Sequence, residues 1–176
     1  GDFHPAAVIE KVTLWINFAK SSNSCADLGT GDDWAEEISF ALKAPDGTTV
    51  PLVSNFDYMF SNAVGWVEVL FDDDAPTSVV GLTISSGTFK SRSGQMHLFN
   101  GLHPEGVWTL VVGDAGAQDP LCYVESRLNI TVSDVVDLGV TKTVTPLVAL
   151  AGQEVLYTVT AWNKGPFDAI DPLVTD

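Results

Sequence analysis

Six carboxylates carry the most chemistry in this sequence: Asp72, Asp73 and Asp74 directly after the apolar run Gly65–Phe71, and Asp32, Asp33 and Glu36 in a second segment. Where consecutive acids leave the end of a strand, alternate carboxylates point into one loop cavity. Calcium takes roughly six to eight oxygens in loose geometry, which loops of this kind supply. We therefore expect these six acids as metal ligands and calcium as the cofactor, although no EF-hand spacing is present. The competing use of such acids is a solvated turn in which Asp caps backbone N–H groups.

Two other sets of side chains offer chemistry. Cys25 and Cys122 lie in stretches rich in Ser, Gly and Asp, which read as loops. Loop cysteines pair readily, and a bond here would close about a hundred residues, contributing roughly 4–5 kcal/mol in the chain-entropy model. Two unpaired thiols are the alternative; a disulfide implies an oxidising compartment. The aromatic side chains Trp15, Trp34, Phe56, Tyr58, Phe60 and Trp66 raise carbohydrate as a ligand, since flat rings stack on sugar faces. The sandwich core is the competing use, and it is the expected one for Trp66 and Trp108. Trp34, set among acids, is expected to be exposed and is the ligand-stacking candidate.

Catalysis is not expected, and no catalytic residue is assigned. His4, His97 and His103 are scattered, and neither a Gly-x-Ser-x-Gly elbow nor a zinc-type His pair occurs. Charge narrows the partners further. With 23 acids against 8 Lys and Arg, the 176-residue chain has a formal charge of −15, which repels nucleic acid and anionic lipid. At 45% hydrophobic and 10% aromatic it is a globular composition. No apolar run approaches the ~20 residues of a membrane span. No charged-then-apolar leader opens the chain, so any signal peptide is expected to have been removed.

The elements that must position these groups are strands. Val8, Val12, Leu14, Ile16 and Phe18 alternate with polar residues apart from a slip near Lys11. Glu37–Leu42 alternates again and reaches Ala44-Pro45-Asp46-Gly47-Thr48, a tight-turn sequence, after which Val50–Val53 returns. Gly65–Phe71 and Glu125–Val132 read as strands, Val79–Ile84 as a short one, and Ser85–Met96 as a polar loop. Val107–Val112 is β-branched or apolar on both faces, which predicts a strand buried inside a sandwich. No segment has helical periodicity of useful length. Short strands with Gly, Pro and Asp turns predict an all-β, antiparallel jelly-roll sandwich.

Three ordered motifs carry a resemblance. Glu37-Ile38 with Leu42-Lys43-Ala44-Pro45-Asp46-Gly47-Thr48, then Leu70-Phe71-Asp72-Asp73-Asp74-Ala75, then Phe99-Asn100-Gly101 with Gly106-Val107-Trp108-Thr109-Leu110 and Asp114 resemble the P domain, or homo B domain, found beside subtilisin-like proprotein convertases. The resemblance covers about Val8 to Val132 and departs at Glu37 and Ala44, where the family carries Asp and Ser. It implies a jelly roll without catalytic residues of its own. After Ser133, the run Asp137–Pro146, the run Gly152–Pro166 and the final Val174-Thr175-Asp176 are similar to the first half of an Ig-like repeat of bacterial and archaeal surface proteins.

These readings combine into one expectation: residues 1–133 form a P-domain-like jelly roll and residues 134–176 an incomplete Ig-like repeat. The protein is expected to be secreted or at a cell surface, as a non-catalytic structural or adhesive module. Its expected partners are other surface-protein subunits or domains, with a homo-polymer formed by β-strand donation among the outcomes and carbohydrate as a candidate ligand. An accessory P domain of a secreted hydrolase, stabilising it or binding its substrate, is the rival reading.

Overall fold

The computed structural model describes residues 3, 7–60, 65–133, 136–165 and 167–175. Strand formation follows the alternation read above. β1 (Ile9–Lys20) turns Val12, Leu14, Ile16 and Phe18 inward, and the slip in its pattern is a bulge between Ile9 and Lys11 where it pairs with β7. That bulge reverses the expectation at the amino end: Ile9 is buried and Val8 is exposed. β2 (Ile38–Lys43) and β3 (Thr49–Val53) form the predicted hairpin. Its turn is closed by the Ala44 N–H donating to the Thr48 carbonyl at 2.8 Å and the Gly47 N–H to the Ala44 carbonyl at 3.0 Å. Gly47 sits at φ 98°, a left-handed conformation that suits glycine.

β4 (Val67–Phe71), β5 (Gly87–Phe89), β6 (Thr109–Asp114) and β7 (Leu121–Val132) complete two sheets, ordered β5-β4-β1-β7 and β3-β2-β6. All pairings are antiparallel except β4 with β5, which is parallel. One cluster of buried side chains draws on both sheets, from Leu14, Ile16 and Val69 to Ile38, Leu42 and Leu52. The Phe18 and Phe40 rings meet edge to face at 4.9 Å, linking one sheet to the other. This is an all-β sandwich.

Three sequence expectations are corrected here. β6 is an edge strand bonded only to β2 with Val111 51% exposed, and Val107 lies before the strand and is 80% exposed, so the stretch is not buried on both faces. Val79–Ile84 forms no strand, although Val79 and Ile84 are buried; its backbone is held by turns and by the Val79 N–H to the Lys90 carbonyl. The loop Ser85–Met96 contains β5, whose three residues are too few to show a period. The Phe99 and Trp108 rings meet at 5.1 Å, and the indole N–H donates to the Pro104 carbonyl at 3.0 Å. Gly106, at φ 125°, lies so close to Pro45 that a Cβ would sit 2.6 Å from the ring.

The chain divides into two compact units, Val8–Val132 and a second containing Ser133–Asp176 with Gly1–Ala7. The second unit's sheet has two strands, β8 (Leu138–Thr145) and β9 (Leu156–Asn163), antiparallel through eight residue pairs from Leu138↔Asn163 to Thr145↔Leu156. Among the described residues no helix is long and apolar enough to cross a membrane.

Candidate functional site

β4 ends at Phe71 and delivers the Asp72–Asp74 turn, as the sequence suggests. The Asp72 N–H is held by the Phe89 carbonyl at 2.9 Å, and the Asp74 N–H donates to Asp72 Oδ1 at 2.9 Å. Opposite stands Lys11, placed at the β1 bulge. Its ammonium lies 2.8 Å from Asp72 Oδ1 and also contacts Asp74 Oδ2. Hydrogen bonds to Asp72 and Asp74 hold the Lys11 ammonium above its ordinary pKa. Burial alone would raise the Asp72 carboxyl, but the hydrogen bonds from Lys11 and the Asp74 N–H keep it below the ordinary range. Asp73 turns the other way: Oδ2 accepts the His97 backbone N–H at 2.9 Å, while His97 Nδ1 lies 2.9 Å from the Gly94 carbonyl and therefore carries a proton toward it. Asp73 Oδ1 is buried without a hydrogen-bond partner among the described residues.

The cavity at this turn, about 210 Å³, is lined by Glu10, Lys11, Asp73, Asp74, Met96 and His97 among others. Asp32, Asp33 and Glu36 are not part of its lining. Asp33 is fully buried, Asp32 is exposed, and Glu36 Oε2 is buried without a hydrogen-bond partner among the described residues. Among the described residues, no three His, Cys, Asp or Glu side chains gather as a metal-holding group. The ammonium of Lys11 lies between Asp72 and Asp74.

A second charged cluster was not legible in the sequence. Lys20, at the end of β1, is fully buried, with Nζ 2.7 Å from Asp114 Oδ1, 3.2 Å from Glu37 Oε2 and 3.3 Å from Asp119 Oδ2. It also donates to the Asp119 carbonyl. Burial alone would lower its pKa, but the hydrogen bond and charge of Asp114, joined by Glu37 and Asp119, raise it. Beside this cluster the Cys25–Cys122 disulfide is formed, with Cα atoms 5.4 Å apart, closing a loop across 97 positions. It ties the acidic loop to the start of β7.

The aromatic candidates separate. Trp34 is exposed as expected, and so is Trp66, against the expectation that it joins the core. Trp15 instead lies under the Arg127 guanidinium at 4.8 Å, and Tyr58 is buried. Burial raises the Tyr58 phenol well above its usual range.

In the second unit, residues directly opposite across the β8–β9 ladder share a face. One face pairs Gly139 with Trp162, Thr141 with Thr160 and Thr143 with Thr158. The other carries Leu138, Val140, Val144, Tyr157, Val159 and Ala161, with the Lys142 ammonium 4.4 Å from the centre of the Tyr157 ring. Leu138, Val140, Tyr157 and Val159 are all exposed, Val140 by 59%. A groove of about 420 Å³ runs along this face, bounded by Leu138, Val140, Val159 and Ala161 and by Leu173 and Val174 from the segment beyond β9. Compared with known proteins, the chain matches no family model, no curated protein and no solved structure.

Proposed function

We propose that this protein is a non-catalytic extracellular structural and adhesive module that self-associates through the β8–β9 hairpin. The observation that carries the reading is the apolar face of that hairpin, exposed and two strands wide. A two-stranded sheet is marginal in water unless a further layer or strand covers it. Among the described residues both outer edges of the hairpin are unpaired, so each copy offers backbone donors and acceptors on two sides. Strand addition at two edges propagates into a filament, whereas use of one edge stops at a dimer. Burying even three of the four exposed apolar side chains on this face would contribute on the order of 5 kcal/mol. The disulfide supports an oxidising setting, and the formal charge of −15 keeps the sandwich surfaces from clumping.

Light scattering across a dilution series tests the reading. The mean mass rises with concentration, and Val159→Lys, which puts a charge in the middle of the apolar face, holds the protein at monomer mass. A mass equal to one chain at every concentration overturns self-association.

A further inference from the structure

We infer that the Trp34–Phe60 ring pair, with Phe56 exposed on the same loop as Phe60, is a carbohydrate-binding platform for neutral polysaccharides. It gives the adhesive part of the function proposed above its ligand, and so rests on that reading.

The first observation is backbone conformation. Trp34 at φ 47° and Phe56 at φ 70° occupy the left-handed region, which bulky side chains seldom adopt. Such strain persists where surrounding structure enforces it, and it collects at binding sites. The enforcement is visible here. The Phe56 N–H donates to the Glu36 carbonyl at 2.7 Å, and the Asn55 side-chain amide to the Glu37 carbonyl at 2.7 Å, binding the loop after β3 to the short 3-10 turn Ala35–Glu37 that follows Trp34. Asp57, buried next to Phe56, accepts the Ser54 N–H at 2.6 Å and pairs with Arg92. The chain thus spends strain and four anchoring contacts on a segment that turns aromatic rings outward.

The second observation is what those rings present. Phe56 is 84% exposed, Phe60 47% and Trp34 46%, although the core beneath is closed around Ala35, Ile38 and Tyr58. Trp34 and Phe60 stand 5.3 Å apart at 78°, so one ring offers its face while the other forms a wall. A corner of this shape accepts the flat C–H face of a pyranose, which stacks on one ring and abuts the other. Stacking on pre-held rings loses little side-chain entropy on binding.

Charge selects among sugars. Neither Ser21–Leu42 nor Ala44–Trp66 contains a Lys or Arg, and these segments carry Asp32, Glu36 and Asn55; a cation that reaches them from elsewhere, Arg92, is paired with Asp57. Acceptors suit the donating hydroxyls of a neutral glycan and repel sulfated or uronic chains.

Affinity electrophoresis of the full-length, disulfide-bonded protein through gels containing cellulose derivative, glycol chitin, β-1,3-glucan or mannan tests the inference, with heparin and polygalacturonate as acidic counterparts. At least one neutral polymer is expected to retard the protein, and neither acidic one. Trp34→Asn and Phe60→Ala should each weaken retardation at least tenfold. Asn tolerates the left-handed conformation, so Trp34→Asn should keep or raise the melting temperature while losing binding, a pairing that a merely structural Trp34 would not give. Val159→Lys, monomeric under the function proposed above, should still be retarded, so a failure of the platform is separable from a failure of assembly. The inference is overturned by retardation in none of the neutral gels, by stronger retardation in the acidic ones, by a Trp34→Asn variant that binds as the parent does, or by Trp34→Asn lowering the self-association mass, which would make the rings a contact between copies.

Discussion

The two units of this chain use the same raw material, alternating apolar strands, in opposite ways. In Val8–Val132 two sheets close on each other, and side chains such as Ile16, Phe18, Ile38 and Phe71 lose all contact with water. In the second unit β8 and β9 also alternate, yet Leu138, Val140 and Val159 stay exposed; among the described residues this unit has no second sheet of its own. The difference teaches that alternation specifies a face but not its cover. A closed face stabilises a fold; an open one is a surface looking for a partner.

The comparison breaks most readily at the closed unit's long-range links. Replacing Cys25 and Cys122 by Ser removes a cross-link over 97 positions and should cost the sandwich about 4–5 kcal/mol by denaturant unfolding, with no change in β8–β9. Phe40→Ala, at a side chain 1% exposed, should cost about 3–5 kcal/mol in the same assay, whereas Val140→Ala on the open face should move monomer stability by less than ~1 kcal/mol. Equal losses at the two positions would show that the second unit has a core of its own.

Lys20→Met sharpens the contrast inside the sandwich. It leaves the partly exposed Glu37, Asp114 and Asp119 around no cation, which should cost about 1–3 kcal/mol near neutral pH. The parent protein responds at alkaline pH. The folded pKa of Lys20 lies above its ordinary 10.5, so the stability it contributes is complete below 10.5 and is lost as pH rises through the raised value. Asp72 works with the opposite sign: its folded pKa lies below the ordinary 3.8, so its contribution is complete above that pH and is lost as pH falls toward the lowered value. Thermal melts from pH 2 to 12 check both limbs.

The smallest effect concerns Lys11. The parent should melt at the same temperature in calcium and in chelator, because the ammonium already occupies the space between Asp72 and Asp74. Lys11→Met should gain a calcium-dependent rise. A calcium-dependent rise in the parent itself would show that the metal displaces Lys11.

Much of the sandwich was legible before any coordinates, for reasons the residues make plain. Period-two alternation marked β1 to β4, and even its slip at Lys11 marked a bulge. The Pro45-Asp46-Gly47 turn read correctly because each residue has its own backbone preference. The bond between Cys25 and Cys122 was anticipated, but only Cys25 lies in a loop; Cys122 is buried in β7, where its Asp- and Pro-rich approach gives way to the strand. What stayed hidden depends on neighbours remote in sequence. Val111 and Val112 look like core residues in any window, and only the strand order shows β6 at an edge. Trp66 reads as core by type, but it lies just before β4 and is 46% exposed. Lys20 is an ordinary strand-end lysine until Glu37, Asp114 and Asp119 arrive from 17, 94 and 99 positions away. The acids at positions 72–74 stand out in the sequence, but their partners Lys11 and His97 could be found only by folding the chain.

Hydrogen–deuterium exchange on the full-length protein, compared at dilute and high concentration, tests the central claim most directly. If the open hairpin is the assembly surface, amides in 138–145 and 156–163 gain protection as concentration rises, while those of β6, an edge strand of the sandwich, do not. Exchange in β8 and β9 that is identical at both concentrations, or protection that appears in β6 instead, would contradict the account.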